Sequence, residues 1–163
     1  MRALWAIAVL ILAGCGSTPE PSAKTAEAPP ATAPAPVTAN APVKDLTGLL
    51  PSAGRVGAKV VPDHILDEPK LPGGTLGEYA VGSKQYQLFI VESDNAQNAA
   101  LMLLDMKGAL QSPEYLPNFG GYFGTHGTQP VFVFAKLQYL AGVAGLSQKD
   151  AEPIARILAA RLR

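Results

Sequence analysis

The chain has 163 residues, 13 Lys and Arg against 13 Asp and Glu, and only 16% charged residues. A formally neutral protein of this make-up has no basic excess to neutralise a phosphate backbone, which argues against nucleic acid as a partner. Seven of its 15 prolines fall within residues 16–42, so composition changes along the chain.

Arg2 opens the sequence with a positive charge, and residues 3–12 are almost wholly apolar. That run is about half the ~20 residues a spanning helix needs. It has the length of a signal-peptide h-region. Ala13 and Gly14 follow, small enough for a signal peptidase site, and then Cys15. Leu12, Ala13, Gly14 and Cys15 resemble the lipobox of bacterial lipoproteins. The resemblance implies a diacylglyceryl group on the Cys15 sulfur, cleavage before Cys15, and residues 1–14 as the signal peptide. Each buried methylene contributes ~0.8 kcal/mol, and two or three acyl chains pass the threshold for stable anchoring. The implied partner is therefore a lipid bilayer held through acylated Cys15. Gly16 stands where an aspartate would retain such a protein at the inner membrane of enteric-type bacteria. The expectation is the cell envelope, on the outer membrane facing the periplasm in a Gram-negative host. Cys15 is also the only cysteine, so the rest of the chain has no thiol for a disulfide, a metal or nucleophilic attack.

Residues 16–42 are dominated by Ala and Pro, with Thr and Ser between them. Such a segment cannot bury enough apolar surface to offset the entropy of ordering it. Residues 15–42 are expected to be the lipidated cysteine and a disordered Pro/Ala-rich linker, and residues 43–163 a single domain.

Within that domain, residues 44–74 carry breakers every few positions. Leu46, Leu49 and Leu50 suit a short amphipathic turn, and Val60 and Val61 a short strand. Two strands joined near Gly82 and Ser83 follow, a pair typical of a hairpin turn. Tyr86, Leu88 and Ile90 alternate with Gln85, Gln87 and Phe89 in the second. A helix is predicted next, capped by Ser93 or Asp94 with Gln97 three residues beyond Asp94. Ala96, Ala99, Ala100, Leu103, Leu104 and Met106 set its period, and Gly108 and Pro113 end it. Residues 118–127 read as a glycine-spaced strand or loop. Residues 130–143 read as one strand, apolar enough from Val131 to Phe134 for a central, doubly covered place. In the final helix Ile154, Ile157, Leu158 and Leu162 share a face, and Pro153 fits if Asp150 is the N-cap.

The order strand-strand-helix-strand-strand-helix predicts an α+β fold: a small antiparallel or mixed sheet with two helices on one face. From Thr75 onward the chain is similar to small uncharacterised α+β domains of secreted and lipid-anchored bacterial proteins. The matching pieces are residues 86–92, 93–99 and 135–143. The resemblance implies a fold and no activity.

Two histidines offer chemistry. His126 lies among glycines beside Thr125 and Thr128, where glycine-rich backbone can cradle an anion. The spacing fits neither a phosphate-binding loop nor a dinucleotide fingerprint, which favours a turn with a solvated imidazole. His64 stands near Asp63, Asp67 and Glu68, a metal-capable set. With no second histidine four residues on, a solvated loop is the simpler reading. Tyr115, Phe119, Tyr122 and Phe123 form an aromatic cluster suited either to packing or to a surface for a ligand or partner. The reading that follows is a membrane-anchored envelope lipoprotein with a non-enzymatic binding or assembly domain. No metal or cofactor is expected, and an envelope protein or peptidoglycan is the expected partner. A small hydrolase or metal-dependent enzyme using His126 or His64 is the alternative.

Overall fold

The computed structural model describes residues 42–163; the signal-peptide, Cys15 and Pro/Ala-rich readings lie outside the described residues. The segment that organises the rest is β3 (Lys84–Glu92), in which Leu88 to Val91 are all buried. Successive side chains of a strand point to opposite faces, so four consecutive apolar residues require cover on both. β3 follows β2 (Pro72–Val81) through the Gly82 turn, where φ is 61°. β1 (Arg55–Asp63) pairs on the outer side of β2. The second half of the sheet is β4 (Gln111–Leu116), β5 (Gly121–His126), β6 (Gln129–Lys136) and β7 (Tyr139–Ala144). The strands form one seven-stranded sheet in the order β1-β2-β3-β7-β6-β5-β4, every pair antiparallel. β7 inserts beside β3, so two meanders meet at the centre.

The helices α1 (Ala96–Ala109) and α2 (Gln148–Arg161) cover opposite faces. Ala99, Met102, Leu103 and Met106 of α1 pack with Phe89, Val91, Val131 and Val133. Ala151, Ala155 and Leu158 of α2 pack with Leu88, Ile90, Phe132 and Phe134. Beside α2, a 3-10 turn (Thr47–Leu49) brings Leu46 and Leu50 against Tyr79, whose hydroxyl donates to the Pro51 carbonyl at 2.6 Å. Beside α1, a second turn (Ile65–Asp67) buries Ile65.

The α+β class is as the sequence predicts, the sheet is antiparallel where the sequence left antiparallel or mixed open, and the Val131 to Phe134 run is buried on both sides. The sheet is larger than the small one expected, and the helices do not share a face. Alternation explains the second point: odd and even positions of β3 and β6 are equally apolar, so each face needs its own helix. Residues 130–143 are a hairpin rather than one strand, turning at Leu137 and Gln138. β1 is nine residues long, not a short piece around Val60 and Val61. β4 has only partly covered or exposed side chains and so no apolar alternation to reveal it. Asn95, not Ser93 or Asp94, caps α1 by accepting from the Asn98 N–H at 2.9 Å, and Gly108 lies inside the helix. Ser147, not Asp150, caps α2, which places Pro153 beyond the first turn.

Two glycines give opposite expectations. A Cβ at Gly142 on β7 would stand 2.3 Å from the Phe132 carbonyl oxygen and 2.6 Å from the Phe89 ring. Gly142→Ala should cost about 3 kcal/mol through overpacking. Gly108 in α1 has open space around it, and Gly108→Ala should stabilise by about 0.5–1 kcal/mol. Urea unfolding of both variants checks the contrast.

Candidate functional site

The β2–β3 hairpin projects past the start of α2, and the segment from Pro51 to Gly54 closes the space below it. The result is a groove of about 750 Å³, lined mainly by apolar groups. Tyr79 and Tyr86 stack in it, centroids 5.1 Å apart and planes 9° from parallel. They sit at matched positions of adjacent strands, and Cβ atoms of such pairs lie within about 5.5 Å. Burial raises both phenol pKa values above the ordinary tyrosine range. Ile154 and Ile157 of α2 and Val81 of the hairpin supply aliphatic walls. Ile157 is 56% exposed and Val81 53%, so two large apolar side chains stand in water at the edge of an apolar depression. The helical period that placed Ile157 with Leu158 and Leu162 is corrected here, since only the latter two enter the core.

One ion pair crosses the groove. Lys84 Nζ lies 2.7 Å from Asp150 Oδ1, and the Ser147 hydroxyl donates to Asp150 Oδ2 at 3.0 Å. The hydrogen bond from Lys84, then that from Ser147, holds the Asp150 carboxyl below the usual aspartate range. The pair ties the hairpin to the first turn of α2, where a carboxylate also meets the positive end of the helix dipole.

The sequence-predicted residues fall elsewhere. Cys15 lies outside the described residues. His126 ends β5 and is paired rather than solvated: its Nε2 lies 3.2 Å from Oε2 of Glu68, and its side chain is 21% exposed. Glu68 is one of two buried polar residues in the domain, and its Oε1 accepts the Lys70 N–H at 3.2 Å. The pair clasps the segment after the Ile65–Asp67 turn to the far end of the sheet. His64 stays in water, 3.4 Å from its neighbour Asp63. Among the described residues no three His, Cys, Asp or Glu side chains are grouped to hold a metal ion.

The aromatic cluster is divided by the sheet. Tyr115 and Tyr122 pair across β4 and β5, centroids 5.5 Å apart, with the Lys107 ammonium 5.1 Å from the Tyr122 centroid on the α1 side. Phe119 and Phe123 pack on the α2 side, Phe119 meeting Phe132 edge-on at 4.9 Å. The four residues therefore form no single surface.

The groove is absent from the sequence reading because its parts come from three separated segments. The available signal was Ile157 and Val81, apolar residues beyond what the core absorbs. Among the described residues no helix is long and apolar enough to cross a membrane. No family model matches the chain, and neither curated proteins nor solved structures contain a match.

Two measurements probe these contacts. Asp150 has a depressed folded pKa, so its contribution to stability is present above the unfolded value and is lost as pH falls through the folded one. Lys84→Met should raise the Asp150 pKa toward the ordinary range, read by carboxyl NMR titration. Glu68→Ala leaves the His126 imidazole without its partner in a largely covered site and should cost about 1–3 kcal/mol in thermal or urea unfolding.

Proposed function

We propose that this protein is a lipid-anchored cell-envelope protein whose domain works by binding, through the groove between the β2–β3 hairpin and α2. The lipobox resemblance at Cys15 supports the anchor. The observation that carries the binding role is the pair Ile157 and Val81, exposed on either side of an apolar groove of about 750 Å³. Burying exposed apolar area contributes roughly 25 cal/mol per Å², so the groove favours an occupant that covers it. Its apolar lining fits an aliphatic stripe of an envelope protein better than the hydroxyls of peptidoglycan. The stacked tyrosines add a rigid, low-entropy contact surface. The Lys84–Asp150 pair offers one donor and one acceptor to fix the occupant's register.

Metabolic labelling tests the anchor. Palmitate should enter the wild-type chain and be lost in Cys15→Ser; equal labelling of both would remove the lipoprotein reading. A photo-crosslinker at position 157 tests the groove. It should give a defined adduct in intact cells that Val81→Glu removes, whereas an adduct pattern indifferent to Val81→Glu would exclude the groove as the binding surface.

A further inference from the structure

We infer that the turn between β6 and β7 is a second contact, one that seats this domain on an anionic lipid headgroup layer; the inference rests on the lipid-anchored reading above. Lys136 and Tyr139 pair across the turn, leaving Leu137 and Gln138 at its tip. Leu137 has φ of 54° and is 50% exposed. A left-handed first position in a two-residue hairpin is the place where glycine is favoured. Leucine there is strained, and its side chain adds nothing to either core cluster. A strained backbone that presents an apolar side chain to water is the kind of outlier that points to use rather than to packing.

The surroundings fit a headgroup layer. Lys136, the residue before Leu137, is exposed, and its ammonium donates to the Ala159 carbonyl near the C-terminus of α2. Among the described residues it meets no carboxylate in an ion pair. Arg161, at the same end of α2, is committed elsewhere: its guanidinium donates to the Leu49 carbonyl at 2.7 Å and the Gly48 carbonyl at 2.9 Å. The adjoining carboxylates are Glu92, held by Lys44 at 3.0 Å, and Asp94. An apolar tip beside the Lys136 ammonium suits the boundary between acyl chains and phosphates, where a long basic side chain keeps its charge in water.

The entry of the chain favours this occupant. Lys44 bonds Glu92, and Glu92 pairs in register with Tyr139 at the base of the same turn. The chain thus enters its domain at the end of the sheet that bears Leu137. An anchor upstream of residue 42 keeps headgroups at high local concentration, so a contact too weak to hold by itself is still populated.

The test uses the full chain, made in a lipoprotein-processing host and placed in phosphatidylglycerol-containing nanodiscs. Hydrogen exchange at residues 135–139 is compared with the same chain in neutral detergent micelles. Exchange there should slow about fivefold or more on the discs, while residues 82–84 on the opposite hairpin keep one rate. Leu137→Gly, which the left-handed turn accommodates, should restore the micelle rate without lowering the thermal midpoint. Lys136→Gln should restore most of it. Equal exchange in discs and micelles would overturn the inference, as would protection that survives Leu137→Gly. Protection in native envelope fractions but not on lipid-only discs would assign the turn to a protein partner instead. Flotation of Cys15→Ser with the discs reports on the anchor separately, and excess anionic discs should still slow exchange at the turn in that variant.

Discussion

The fold depends on one constraint: the central strands β3, β7 and β6 are apolar on both faces. Leu88 to Val91, Val131 to Phe134 and Leu140 to Ala144 leave no side for water. A sheet with such a centre must be covered twice. The chain does so by sending α1 over one face after β3 and α2 over the other after β7. Gly142 lets this centre close, because the Phe89 ring occupies the place its side chain would take. The 3-10 turns with Leu46, Leu50 and Ile65 then fill what the helices leave uncovered toward β2.

Double cover also explains where the candidate site lies. α2 rests on β6 and β7 and stops short of the β2–β3 hairpin, so hairpin and helix form the two sides of a cleft. The Lys84–Asp150 pair spans that gap without filling it. The two histidines serve different ends. His126 and the buried Glu68 fasten a connecting segment across the sheet, and His64 faces solvent. Three non-glycine residues around the Ile65–Asp67 turn, His64, Leu66 and Asp67, have positive φ. That segment is held by the clasp and by buried Ile65 rather than by its own backbone preference.

The groove and the Leu137 turn lie toward opposite ends of the strands. The groove is at the hairpin end of β3, near Lys84, and the turn is at its other end, near Glu92. In the proposed arrangement one end meets the bilayer and the other presents the groove to a partner. The same strands that form the core thus set the spacing between the two contacts, roughly 3.3 Å for each residue of β3.

Local pattern determined much of this protein before any tertiary contact is considered. The β2–β3 hairpin, both helices, the doubly covered run from Val131 to Phe134 and the α+β class are all written in short stretches, because periods of two and 3.6 residues are local properties. Only the tertiary structure decided that the helices take opposite faces, that β7 pairs with β3, that Glu68 finds His126 from 58 residues away, and that α1 lies on the side of Tyr122 and α2 on that of Phe123. It likewise decided that Ile157 borders a groove while Leu158 enters the core. Such pairings join segments distant in sequence, and their energies depend on which surfaces meet, a quantity that no window of a dozen residues contains.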